Sequence, residues 1–337
     1  MKLRKIMAVL MAASVAASLA GCGGSSSSGS SDSSSDSAYS DSGKVYKIGI
    51  CQQLEHEALD QATQGFEDAC EEKFGKDNVT FDLQNGQGEQ ANCATITNSF
   101  VADNVDLILA NATTALQCAA AATDSIPILG TSITDYATAL DISDWNGSTG
   151  MNISGTSDLA PIDQQEDMLV ELVPDVKTVG ILYCSAEPNS AYQAKLFEDA
   201  LKEDGIEYKE YTAADSNEIQ SVTTSAISEC DALYIPTYNT MASNTEIINN
   251  ICLPAKVPVV AGEQGICAGC GIATLSISYY DIGYKAGEMA YDILENGKDI
   301  STMEIETAPN VTKMYNPTIC EELGIEVPDE YEAIEQE

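Results

Sequence analysis

Two strand-to-helix turns carry residues able to hold a carboxylate. Asn111-Ala112-Thr113-Thr114 closes one apolar run and opens a helical pattern, and Asn189-Ser190 opens another that continues through Tyr192, Phe197 and Leu201. Free N–H groups at a helix start, helped by short hydroxyl and amide side chains, bind an anion readily. Thr113 alone reads equally as a structural cap. Asn189-Ser190 mirrors an earlier turn from Gln52 to His56 that includes Glu55, so two helix starts would oppose one another as a clamp. Acceptors for a cationic group follow two other strands, in Thr131-Ser132-Ile133-Thr134-Asp135 and, at the matching later place, in Glu263. In so acidic a chain any one of these carboxylates also reads as a solvated surface group. Tyr136, Tyr192, Tyr238 and Tyr280 lie near these segments and could stack on an apolar ligand body.

Groups for bond-making are missing from this pattern. His56 is the single histidine, and without a nucleophile beside it, it reads first as ordering its loop and second as a ligand contact. The sequence holds no Ser-His-Asp arrangement, metal triad or phosphate-cradling G-x-x-x-x-G-K-[ST] loop, so an enzyme is not expected. Eleven cysteines are present, and most stand among apolar or small residues, where a free thiol packs as a small hydrophobe. Cys267 and Cys270 form the one C-x-x-C pair. A zinc site needs four ligands, which the distant His56 does not complete, so a disulfide or two free thiols are expected there, with no metal and no cofactor.

The elements that must position these residues form a repeating order. Apolar strand-like runs at Val45 to Cys51, Val79 to Leu83, Val105 to Ala110 and Ile126 to Gly130 alternate with helical patterns at Ala58 to Phe74, Gln90 to Ala102 and Thr113 to Thr123. Such alternation implies a parallel sheet covered on both faces. The order then recurs: Gly49 is echoed by Gly180, Asp106 by Asp231 and Pro127 by Pro258, at offsets of 131, 125 and 131 residues. The expected fold is α/β, with two doubly wound parallel-sheet lobes and a ligand cleft where the carboxyl ends of their strands face each other. The first lobe is expected over 44–158 plus 279–308 and the second over 159–278 plus 309–337. The chain crosses between them near Ser278-Tyr279-Tyr280-Asp281, which makes Tyr280 a candidate for contact or for packing.

Ahead of the lobes, a charged start (Lys2, Arg4, Lys5) and an apolar run from Ile6 to Ala20 read as a secretory signal, too short to span a bilayer as a mature helix. Leu19-Ala20-Gly21-Cys22 resembles the lipobox of bacterial lipoproteins. That resemblance implies removal of residues 1–21, acylation of the Cys22 thiol and attachment to the outer face of a membrane. Residues 23–43 are almost wholly Ser, Gly and Asp, a tether reaching on the order of 25 Å. The formal net charge is −38, and removal of Lys2, Arg4 and Lys5 takes it to −41. This excludes a nucleic-acid footprint and disfavours a polybasic contact with anionic lipid.

Five stretches together carry a family resemblance: QQLEHEALDQATQGFEDA, ILANATTALQCAAAAT, NISGTSDLAPIDQQ, VGILYCSAEPNSAYQ and AGEQGICAGCGIATLSISYYDIGYKAGEMAYDIL. They resemble the tryptophan/tyrosine-type substrate-binding lipoproteins of ABC importers over nearly all of Lys44 to Gly324. The resemblance implies the type I periplasmic-binding-protein fold, no catalysis, and delivery of a small molecule, an aromatic amino acid first, to an ABC permease and its ATPase. A sensory receptor of the same fold, or an importer component for a nucleoside or sugar, are the alternatives. Relatives commonly read Thr-Asp-Pro and Thr-Asp-Asn where this chain has Thr134-Asp135-Tyr136 and Thr237-Tyr238-Asn239. Both tyrosines stand either in a reshaped pocket or on the cleft rim.

Overall fold

The computed structural model describes residues 43–308 and 311–334; the signal, Cys22 and nearly all of the tether lie outside the described residues. The first elements are Tyr46–Gln52 (β1), Glu57–Phe74 (α1), Val79–Asn85 (β2), Gln90–Ala102 (α2), Leu107–Asn111 (β3), Thr113–Ala122 (α3), Ile128–Ile133 (β4), Tyr136–Ala139 (α4) and Ile153–Ser157 (β5). A second run follows: Ile162–Leu172 (α5), Thr178–Cys184 (β6), Pro188–Asp204 (α6), Glu207–Ala213 (β7), Ile219–Ile227 (α7) and Ala232–Ile235 (β8). It continues with Asn239–Ala242 (α8), Thr245–Ala255 (α9), Val259–Ala261 (β9), Gln264–Cys270 (α10) and Ala273–Ile277 (β10). The last elements are Tyr279–Leu294 (α11), Glu306–Thr307 (β11), Val311–Tyr315 (β12), Pro317–Leu323 (α12) and Glu332–Ala333 (β13). Among the described residues no helix is long and apolar enough to cross a membrane.

Two sheets result, ordered β2-β1-β3-β4-β5-β11 and β7-β6-β8-β9-β10-β12-β13. Pairing is parallel except between β10 and β12. In each sheet the first strand lies between the second and third, so chain order reverses at β1/β3 and at β6/β8, where open α/β sheets leave a crevice. The chain passes from one sheet to the other three times: after β5, after β10 and after β11. The internal repeat has a physical counterpart at the opposite ends of the strands. The Asp106 carboxylate accepts from the Lys47 N–H at 2.8 Å, and the repeated Asp231 accepts from the Lys177 and Thr178 N–H groups at 3.1 and 3.0 Å.

Apolar residues from both faces of each sheet are buried under helices, as a two-sided parallel sheet requires. On the first sheet, α2 and α3 cover one face with Phe100 and Leu116, while α1 and α11 cover the other with Phe66 and Met289. On the second, α7, α9 and α10 lie opposite α5, α6 and α12, where Phe197 stacks on Tyr234 at 3.6 Å between ring centroids. The ten described cysteines are free thiols, all buried in these layers. Cys267 and Cys270 are two of them, together on α10.

Candidate functional site

One of the cavities between the lobes is lined by residues from the carboxyl ends of strands in both sheets. His56, Leu59, Ser132, Asp158 and Tyr279 come from the first lobe and its crossings; Asn189, Thr237, Tyr238, Asn239, Ala242 and Glu263 come from the second. The atom-free space among these residues is about 270 Å³, including space open to solvent, and the room within it for the centre of a water-sized sphere is about 10 Å³. No lysine or arginine is among the lining residues.

Local backbone geometry aims several of these side chains. Between β4 and β5 the register slips from Gly130↔Gly155 to Ile133↔Ser157, so β4 carries one extra residue. Ser132 sits in this bulge at φ 56°, a left-handed conformation uncommon outside glycine, and its buried hydroxyl makes no hydrogen bond within the protein. Tyr136 packs over the bulge: its hydroxyl stands against the place a Cβ on Gly130 or Gly155 would take, its ring edge against that of Gly130, and its hydroxyl donates to the Thr156 carbonyl at 3.1 Å.

Two buried carboxylates dominate the electrostatics. Asp158 follows β5 and accepts from the Thr134 hydroxyl at 2.9 Å and the Tyr279 hydroxyl at 3.0 Å. Burial raises its pKa against the opposing effect of these bonds. Glu263 caps α10, accepting from the Gly265 N–H at 2.6 Å and from the Ile266 N–H. Burial pushes it up to about 7 despite these donors, with the Glu57 and Asp158 charges adding to the rise. A third acid stands behind the cavity wall: Glu187 accepts from the Asn239 amide and the Thr240 hydroxyl, each at 3.1 Å, and burial raises it as well.

Side-chain hydrogen bonds cross from lobe to lobe at two places. His56 Nε2 meets Asn239 Oδ1 at 3.1 Å, and burial lowers the histidine pKa. The Gln193 amide donates to the Thr134 hydroxyl at 3.2 Å, while its oxygen accepts from the Thr237 N–H at 3.2 Å. A continuous path therefore runs from Thr237 through Gln193 and Thr134 to Asp158 and Tyr279.

The residues singled out in the sequence divide around this cavity. Ser132, Asn189, Tyr238, Asn239 and Glu263 line it. Asn111 is buried beneath α1, where its amide donates to the Leu59 carbonyl and the Thr63 hydroxyl. Gln52 bonds Leu54, Asp60 and Thr63, ordering the turn into α1. Neither Thr113 nor Thr114 caps α3: Ala112 holds the cap position at φ 84°, and the Thr114 N–H donates to Gln53 Oε1. That helix start is thus covered by a glutamine side chain. Thr131 accepts from Thr156, Asp135 caps α4 through the Thr138 N–H, and Ser190 donates to the Cys184 and Glu187 carbonyls. Glu55 is exposed and Tyr192 half-buried. Tyr280 is exposed, its hydroxyl on Asp68, whereas its neighbour Tyr279 faces the cavity.

Asp158, Tyr279, Thr237, Gln193 and Glu187 escaped the sequence reading. A signal for Asp158 and Tyr279 was available, because each follows directly on a strand end where the chain leaves a sheet. Gln193 carried none, since its contact with Thr134 arises only when the lobes meet, and Glu187 carried none, since its partners Asn239 and Thr240 stand 52 and 53 residues further on in the same lobe.

This geometry has close counterparts. Residues 47–336 match the model of the family described as ABC transporter substrate binding protein. A tyrosine-binding protein of Clostridioides difficile (strain R20291) is 34% identical over 289 residues, 85% of this chain and 83% of that protein. An ABC domain from Streptococcus pneumoniae solved with L-Trp is 31% identical, covers 86% of this chain and 100% of its own, and superposes with a TM-score of 0.82. The ligand-free, open structure of a substrate binding protein with adhesive properties from Clostridium difficile is 35% identical over 87% of this chain and 100% of its own, yet its TM-score is 0.68. Identity and superposition thus run in opposite orders between these two structures. By sequence and fold, the chain belongs to the ABC transporter substrate binding protein family.

Proposed function

We propose that the chain captures an amino acid, aromatic by preference, between its lobes and presents it to an ABC importer outside the cytoplasm. The observation that carries this reading is the pair Asp158 and Glu263: two buried acids at one cavity with no lysine or arginine facing them. A ligand α-ammonium would supply the missing positive charge. The unbonded Ser132 hydroxyl, with Asn189 and Asn239, offers donors for the α-carboxylate, and Tyr238 and Tyr279 flank the space for a side chain. The tyrosine-binding relative and the tryptophan complex support the ligand class. Admitting an aromatic ring requires the lobes to part or Tyr238 to swing, which fits capture by closure.

Binding without turnover is part of this proposal. Ser132 has no base hydrogen-bonded to it, and the His56 ring is engaged by Asn239. The anchor is Cys22, acylated after removal of residues 1–21. Cys22→Ala should release the protein from the membrane fraction with ligand binding intact; retention of the variant after a salt wash would refute the anchor.

The ligand is tested by thermal shift and calorimetry with L-tyrosine, L-tryptophan and L-phenylalanine against tyramine and tryptamine. At a hundred times its dissociation constant a ligand adds about 2.7 kcal/mol, a rise of several degrees in Tm. The amino acids should give this and the amines should not. Equal shifts from the amines would remove the carboxylate contact, and shifts from nucleosides or sugars alone would overturn the ligand class.

A further inference from the structure

A separate cluster of acids lies on the second lobe. One carboxylate oxygen from each of Glu166, Asp167 and Asp204 lies within 4.8 Å of the others. Glu166 and Asp167 are on α5, and Asp204 is the last residue of α6. Asp204 stands about 22 Å along α6 from the cavity residue Asn189, so the cluster is distinct from the ligand site.

Glu166 is only 3% exposed, and its Oε1 has no hydrogen-bond partner. A buried carboxylate oxygen left unpaired is costly, and buried acids are ordinarily paired, protonated or bound to metal. Asp167 and Asp204 each bring a further carboxylate oxygen within 4.8 Å of a Glu166 carboxylate oxygen, and the carboxyl end of α6 adds the negative pole of its dipole. Lys202, the basic residue nearest to Asp204 in sequence, is engaged by Glu198 and Asp199. No ion pair among the described residues reaches the three acids.

We propose that Glu166, Asp167 and Asp204 form a calcium site. An all-carboxylate donor set suits a hard cation rather than zinc, which favours nitrogen and sulfur. Calcium–oxygen distances of about 2.3–2.6 Å span oxygens up to roughly 5 Å apart across the ion, whereas magnesium at about 2.0–2.1 Å spans only roughly 4 Å and demands a regular octahedron. Adjacent residues on one helix diverge by about 100° around its axis, so Glu166 and Asp167 reach the ion from different directions, an irregular shell that calcium tolerates. The exposed sides of Asp167 and Asp204 leave its remaining positions to water. Three protein ligands place the affinity with extracellular modules, on the order of 10⁻⁴–10⁻³ M. Calcium there would tie α5 to the end of α6.

The test uses the full chain and calcium chloride, with magnesium chloride and sodium chloride at matched ionic strength. Wild type should gain several degrees in Tm at saturating calcium, with a calorimetric dissociation constant in the range above, and much less with magnesium. Asp204→Asn and Glu166→Gln should raise the calcium-free Tm by relieving repulsion and should abolish the calcium response. Glu306→Gln, which removes one exposed charge on β11 in the other sheet, should keep it. The site is overturned if wild type gives no calcium shift, or if Asp204→Asn and Glu306→Gln respond alike, since the effect would then be general screening of an acidic protein. A magnesium response as large as calcium's would overturn the assignment to calcium.

Discussion

Tyr279 donates a 3.0 Å hydrogen bond to Asp158, and the two residues open two of the three segments by which the chain passes between its sheets. The crossings are therefore joined to each other by the same carboxylate that faces the cavity between the lobes. Thr134 and Gln193 extend the connection into the second lobe, so occupancy of the cavity and the angle between the lobes share one hydrogen-bond network.

Asp158→Asn separates charge from shape. Burial raises the Asp158 pKa, so the ionised acid is a burden on the ligand-free fold, and the variant should melt at the same temperature or higher. Its affinity for an amino acid should fall about 10- to 100-fold, the equivalent of roughly 1.5–3 kcal/mol for a lost charge-assisted hydrogen bond. Calorimetry checks this, and unchanged affinity would assign the ammonium to Glu263.

Glu263 sets a pH dependence whose sign is fixed by its position. The folded protein holds its proton up to about pH 7, against 4.5 for an ordinary glutamate. Its contribution to stability is complete below pH 4.5 and is lost as pH rises to 7, a change of roughly 3 kcal/mol. Glu263→Gln keeps an acceptor for the α10 N–H groups, so its Tm should fall less than that of wild type between pH 5 and pH 8. An ammonium ligand favours the ionised acid. Affinity should therefore rise over the same interval, with proton release detectable by calorimetry in two buffers.

Asn239 holds both His56 and Glu187. Asn239→Ala leaves the buried Glu187 with one donor fewer and should cost about 1–3 kcal/mol of stability in chemical denaturation. Adding Glu187→Gln should recover part of that loss without restoring ligand affinity, because the contact from His56 across the cleft and the Asn239 donor to the carboxylate both stay lost. Full recovery of affinity in the double variant would show that neither contributes to binding.

Gly283 lets α11 press against α1. A Cβ at this position would run into the Ala62 carbonyl, which is backbone and cannot turn aside. Gly283→Ala should destabilise the first lobe by about 1–3 kcal/mol and lower Tm by several degrees. Ligand affinity should survive, since neither residue lines the cavity. A Tm equal to wild type would mean the helices can separate freely.

Strand and helix order was legible in the chain itself because hydrophobic period is a local property. α2 at Gln90–Ala102 lies where its helical pattern ran, and β1, β3 and β4 fall within about three residues of the apolar runs. The repeat of Gly49, Asp106 and Pro127 announced two lobes, since each copy serves the same strands. Strand ends could therefore be located, and Ser132, Asn189, Tyr238, Asn239 and Glu263, singled out that way, line the cavity. Which side chain at a strand end turns inward was not legible. Asn111 and Gln52 satisfy their own loops, Tyr280 goes to the surface while Tyr279 goes to the cavity, and Gln53 covers the helix start that Thr113 and Thr114 mark. Those outcomes follow from competition among hydrogen-bond partners distant in sequence. Only the tertiary structure brings Asp158 to Tyr279, Gln193 to Thr134, or Asp204 to Glu166 across 38 residues, because burial and charge act through space and sequence spacing carries neither.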